Sequence, residues 1–173
     1  MVYQVSANHA TNGTTYTPPA FCQLMGGVLN GVAVTPPAAF GFPVSNGGAT
    51  QNVLTNGTFF LAAGSPATVV RSVGLLTCAS VIYYNAAGAA YIHHANAGDV
   101  SAANFATAIG AGGLNTAAGN IWIIYAHNNA SDAGYQATLN DFVLWGVPTN
   151  HITEITNLAN GSFGINNAGW IGY

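Results

Sequence analysis

The pattern of apolar and polar positions is most telling between Ser72 and His94, where the chain reads SVGLLTCASVIYYNAAGAAYIHH. Val81, Ile82, Tyr83 and Tyr84 are β-branched or aromatic, the side chains that suit a pleated, half-buried surface. Asn85 to Gly88 is turn chemistry, because Asn and Gly tolerate positive φ. The pattern predicts two antiparallel strands, one led by Cys78 and the other closing on His93 and His94. Further on, IWIIY at 121–125 is a nearly continuous apolar run, suited to a buried central strand. Two helices are predicted beside it. The first is capped by Asp99 or Ser101 and runs to about Ile109, with Phe105 and Ile109 on one face. The second is capped by Ser131, carries Asp132 in its first turn and stops at Gly146–Val147–Pro148. Its Tyr135, Leu139, Phe142 and Val143 keep helical spacing and should face a sheet.

The remaining segments read as short strands and turns. Val53 to Ala62 suggests a hairpin around Asn56–Gly57, and Thr68 to Val73 a strand leading toward Cys78. His151 to Leu158 and Ser162 to Tyr173 read as closing strands around Asn160–Gly161. Residues 1–57 are punctuated by the proline pairs at 18–19 and 36–37, which force extended segments and turns. Phe21 to Val34 reads as a short helix or a strand pair, with Gly26–Gly27 weakening the helix. The expectation is one α+β domain over residues 1–173, a mainly antiparallel sheet or sandwich with two flanking helices.

Composition narrows the function classes. Half of the 173 residues are apolar, yet only 3% are charged, where about a quarter is ordinary. No apolar run approaches the ~18 residues a membrane helix needs, so the mean hydropathy of +0.35 reflects missing charge. A net charge of −3 without a basic patch argues against nucleic-acid binding. Arg71 is the sole fixed cation and lysine is absent. That suits a protein acting inside a foreign cell, where ubiquitin acceptors are a liability, but compositional drift explains it more simply. MVYQVSANHA lacks the basic and apolar regions of a signal peptide, so the expectation is a cytoplasmic chain or one exported without a cleaved leader.

Candidate chemistry centres on Cys78. A thiol needs a neighbouring base to become a nucleophile at neutral pH, and an imidazole held by a third group supplies it. Antiparallel pairing brings the two ends of the 78–94 hairpin together, so His93 or His94 can serve Cys78, with Ser72 positioned to orient the ring. The bland alternatives are a cysteine that only packs and histidines that only end a strand. A bridge between Cys22 and Cys78 would silence the thiol. His93, His94, His127 and Asp99 make a poor metal site, since adjacent strand residues point to opposite faces. Asp99, Asp132, Asp141 and Glu154 do not suggest paired glycosidase carboxylates. His9 is assigned no role. No cofactor and no metal are expected.

Leu75, Leu76, Thr77 and Cys78 resemble a degenerate form of the Leu-Ser-Gly-Cys or Leu-Gly-Ser-Cys signature of cysteine-dependent glutamine deamidases. That superfamily includes the chemotaxis receptor deamidases, the catalytic domain of cytotoxic necrotizing factors and Burkholderia lethal factor. Its catalytic histidine ends the strand after the nucleophile, and His93, fifteen residues on, matches that spacing. Ser72 stands six residues before the cysteine, where several members carry threonine. Gly146–Val147–Pro148–Thr149 is similar to the helix stop of those families. The resemblance implies a toxin-like hydrolase acting as a monomer on a protein carrying a target glutamine. Cys78 would be the nucleophile, His93 the base with His94 as alternative, Ser72 the orienting residue, and the backbone N–H groups of Thr77 and Cys78 the oxyanion hole. Two rival readings remain: a non-enzymatic β-rich binding module, and another thiol hydrolase such as a peptidase or amidase.

Overall fold

The computed structural model describes residues 3–6, 23–24, 28–29, 32–33, 50–63, 69–129, 132–156, 162–166 and 170–172. In chain order the strands are β1 (Tyr3–Ser6), β2 (Gln23–Leu24), β3 (Val28–Leu29), β4 (Val32–Ala33), β5 (Thr50–Val53), β6 (Thr58–Leu61), β7 (Val69–Val73), β8 (Ala79–Asn85) and β9 (Ala90–Ala95). Helix α1 (Ala102–Ile109), β10 (Ile121–Ala126), α2 (Ala133–Leu144), β11 (Ile152–Thr156), β12 (Ser162–Asn166) and β13 (Trp170–Gly172) follow. A six-stranded sheet has the order β1-β11-β10-β8-β9-β6, a five-stranded sheet the order β2-β13-β12-β7-β5, and β3 pairs with β4 alone. The fold is α+β, as the sequence pattern predicts.

Three layers result. One face of the six-stranded sheet carries Val81, Tyr83, Ile123 and Tyr125 against Phe105 and Ala108 of α1 and Tyr135, Leu139 and Phe142 of α2. The opposite face carries Ile82, Tyr84, Ile92 and Ile124 against Val53, Val70, Phe163 and Ile165 of the five-stranded sheet. Strands β8 and β10 are therefore apolar on both faces, which is why IWIIY and SVIYY lack a polar side.

The predicted central hairpin forms, with Ala79 opposite Ala95 and Tyr84 opposite Ala90. Its turn is closed by Asn85 Oδ1, which accepts from the N–H groups of Ala87 and Ala89 at 3.1 Å, and by Gly88 at φ 87°. Ser101 caps α1, accepting from Asn104 N–H at 3.1 Å. In α2 the cap is Asp132 rather than Ser131, with its Oδ1 accepting from Gly134 N–H at 2.8 Å. Val143 turns outward and Thr138 takes the buried position beside Leu139. The helix stops as predicted: Gly146, at φ 96°, donates to Val143 O and Val147 to Phe142 O, the paired bonds of a Schellman motif.

Two predicted hairpins are not hairpins. Asn56 does turn the chain at φ 61°, but β5 lies in the five-stranded sheet and β6 in the six-stranded one. Likewise β11 lies beside β10 in the first sheet, while β12 pairs with β7 in the second. In each case the two flanking strands lie in different sheets and find their partners elsewhere. The sheets are also mixed, since β10–β11, β1–β11, β5–β7 and β2–β13 are parallel. The β10–α2–β11 unit explains one of these, because a helical crossover returns the chain in the same direction. Ser162 to Tyr173 divides into β12 and β13, antiparallel to each other. Within Phe21 to Val34 short strands form, with β3 and β4 antiparallel. The proline pairs, His9, Cys22, Ser131 and Asn160–Gly161 lie outside the described residues. No helix among the described residues is long and apolar enough to cross a membrane.

Candidate active site

Cys78 immediately precedes β8, is buried and carries a free thiol. Its Sγ lies 3.8 Å from Asn96 Oδ1, just past the end of β9. The loop leading to it begins at Gly74, φ 79°, and alternates buried Leu75 with exposed Leu76. Cys78 packs in the cluster between the sheets, with Ile82 and Tyr84 on the same face of the strand.

Strand alternation then decides between the histidines. Ser80 is opposite His94 and Val81 opposite His93. Ser80 Oγ reaches Phe163 O of the second sheet at 3.5 Å, and His94 Nδ1 reaches Val53 O of the second sheet at 3.0 Å. Cys78, Ser80 and His94 thus share the inter-sheet face. His93 points to the other face, with Val81 and Tyr91, toward the helices. The expected Cys78–His93 pairing is not what the register builds: adjacent residues of one strand cannot serve the same side.

The His94 ring is held in one orientation. A carbonyl only accepts, so Nδ1 carries the proton toward Val53 O, and the lone pair is left on Nε2. That nitrogen is buried and has no hydrogen-bond partner among the described residues. Ser72 lies on β7, with Val53 and Phe163 as its strand neighbours on either side. Val70 and Ser72 alternate inward, so the Ser72 hydroxyl enters the same inter-sheet layer, also buried and also without a partner among the described residues. Ser72 is therefore brought to the layer of His94, while the ring's orientation is already fixed by the Val53 carbonyl. His93 differs: burial first, and neighbouring His94 second, hold its pKa below the ordinary imidazole range.

A second polar group sits on the helix side of the same sheet end. His127 Nδ1 accepts from Asn129 N–H at 3.1 Å, so its Nε2–H donates to Glu154 Oε1 at 3.0 Å, both side chains being buried. Gln136 Nε2 donates to the same carboxylate oxygen at 3.0 Å. In the sequence His127 stands out only as a member of a poor metal set and as a residue just past the IWIIY run. Glu154 gives no signal, because its partner comes from a strand paired in parallel across a helical crossover. Among the described residues no three His, Cys, Asp or Glu side chains converge to hold a metal.

At the far end of β8 a shallow cavity of about 330 Å³ is lined by Asn85, Leu114, Asn115 and Trp122. Trp122 is stacked on Tyr84 and His151 and Asn85 is used by its turn. No protein-family model matches this chain, and no curated protein is similar to it.

Proposed function

We propose that the protein is a thiol hydrolase of side-chain amides, a glutamine deamidase, with Cys78 as nucleophile and His94 as base. The observation that carries the reading is His94: on the face of Cys78, its Nδ1–H held by Val53 O at 3.0 Å and its Nε2 left basic and unpartnered among the described residues. A base must present a lone pair and keep one tautomer, and this ring does both.

In the proposed cycle His94 Nε2 takes the Cys78 proton, and the thiolate attacks the amide carbonyl of a glutamine. The C–N bond breaks, the imidazolium protonates the departing ammonia, and a thioester remains. Water, deprotonated by Nε2, then cleaves the C–S bond to give glutamate and the free thiol. Ser72 contributes a hydroxyl to the layer in which the imidazolium forms, and the amides of Thr77 and Cys78 are the oxyanion donors. The proposed substrate is a folded protein presenting a glutamine at the end of β8.

The test is ammonia release and a gain of about one mass unit on glutamine in candidate protein substrates. Wild type and His93→Ala should deamidate; Cys78→Ala and His94→Ala should not, with losses of at least the ~10²–10⁴-fold that a general base supplies. Activity surviving in Cys78→Ala would end the hydrolase reading in favour of a binding module. Activity lost in His93→Ala but kept in His94→Ala would return the base to His93.

A further inference from the structure

The two carbonyls before Cys78 are tied to the helix side of the sheet. Tyr135 Oη donates to Thr77 O at 2.5 Å. Asn129 Nδ2 donates to Leu76 O at 3.3 Å and to Tyr135 Oη at 3.1 Å. In a trans peptide the C=O and the following N–H point in opposite directions. Anchoring Leu76 O and Thr77 O toward α2 therefore turns the N–H groups of Thr77 and Cys78 away from it, and among the described residues neither amide finds a backbone acceptor.

The anchors are themselves fixed. The Tyr135 ring lies against that of His127, centroids 4.6 Å apart, and His127 is locked by Glu154 at 3.0 Å and Asn129 N–H at 3.1 Å. Gly98 also closes on the ring, since an added Cβ there would come within 2.3 Å of Tyr135 Cε1. Burial, more than the nearby Cys78 and Asp132 charges, raises the Tyr135 pKa, outweighing the opposing Asn129 bond. The phenol stays a donor at neutral pH.

We propose that Tyr135 and Asn129 are positioning residues: by holding the Leu76–Thr77 and Thr77–Cys78 peptides from behind, they aim two amides at the oxyanion formed when Cys78 is acylated. The inference rests on Cys78 being the nucleophile, but not on glutamine being the substrate. Neither side chain touches the reacting atoms. Both act through the backbone, which is why Thr77 can stand where the deamidase signature carries small residues.

Two reactions of the same thiol separate positioning from packing. With p-nitrophenyl acetate the thiolate attacks the ester carbonyl through a tetrahedral oxyanion, the C–O bond breaks, and p-nitrophenolate leaves a thioester. With iodoacetamide the C–S bond forms as the C–I bond breaks, iodide leaves, and no oxyanion arises. In the full-length chain Tyr135→Phe and Asn129→Ala should each slow acylation about 10- to 100-fold, short of or equal to the loss of one oxyanion donor, while alkylation keeps its wild-type rate. An unchanged acylation rate, a parallel fall of both reactions, or a wild type whose Cys78 is not acylated would overturn the proposal. The differential effect without deamidation of any glutamine would sink the deamidase reading alone.

Discussion

At the scale of the residue, parity separates two adjacent histidines. Ala79 stands opposite Ala95, so residues of even number share one face of this hairpin, Cys78 and His94 among them. A turn closed with one residue more or fewer would put His93 there instead. The sequence makes both ends of the hairpin plain, yet register is set by how Asn85 uses its side chain in the turn, which a string of Asn, Ala and Gly does not specify. His93 is left buried with an unpartnered Nδ1 among the described residues and a pKa lowered by burial. The consequence for stability follows by linkage. Above the unfolded value of about 6.5 the ring is neutral in both states and pH has no effect. As pH falls below that value, the unfolded chain binds a proton that the folded chain resists, so stability declines until the folded pKa is passed. Thermal unfolding at pH 7 and pH 5 should show a drop in midpoint that His93→Gln reduces. An equal drop in the variant would mean that other groups cause the acid sensitivity.

At the scale of the element, the α1 cap, the α2 stop and the β8–β9 hairpin are legible in the sequence, while the partners of the other strands are not. Ser101 and Gly146 act locally, through bonds to residues within a turn of their own helix, so neighbouring sequence suffices to find them. Asn56 shows the limit. It makes the turn its sequence promises, but whether β5 and β6 then pair depends on the distant strands β7 and β9. Glycines allow a test of which local features reach the site. Gly146 and Gly98 both have positive φ, 96° and 73°, so either alanine variant should lose about 1–2 kcal/mol from the left-handed backbone alone. At Gly146 the nearest atom to an added Cβ is Ala118 Cβ at 3.6 Å, ordinary contact. At Gly98 the methyl would meet Tyr135 and, at 2.7 Å, Tyr125 Oη, and the Gly98 carbonyl also accepts from Tyr125 and Thr138. Denaturant titration should therefore find Gly98→Ala the less stable of the two, and ester acylation of Cys78 should fall only in Gly98→Ala. Equal losses of stability would show that Tyr135 moves aside without cost.

At the scale of the whole molecule, the candidate site is a seam. Cys78 and His94 come from the six-stranded sheet, while Val53 and Ser72 come from the five-stranded sheet packed on it. The stretch Ser72 to His94 holds three of these residues but does not say that they meet between two sheets, and the Val53 carbonyl, a backbone group, leaves no trace in residue type. Tyr135 and Asn129 likewise read as ordinary helix and loop residues until the layers are stacked. The reactivity of the thiol should accordingly depend on how firmly the two sheets are held together, more than on stability at large. Phe163 is the natural lever, because it is fully buried in the inter-sheet cluster, is the strand neighbour of Ser72 and offers its carbonyl to Ser80. Phe105, buried in the helix-side cluster against Tyr83, Phe142 and Trp145, is the matched control. Trimming either ring to leucine leaves a small cavity and should cost about 1–2 kcal/mol. Phe163→Leu should slow acylation of Cys78 by p-nitrophenyl acetate about 10-fold, part of the ~10²–10⁴-fold that a general base supplies, because Val53 O and His94 no longer keep a single geometry. Phe105→Leu, equally destabilised, should keep the wild-type rate. If the two variants slow acylation alike, the seam has no special hold on the site, and the thiol's reactivity tracks overall stability instead.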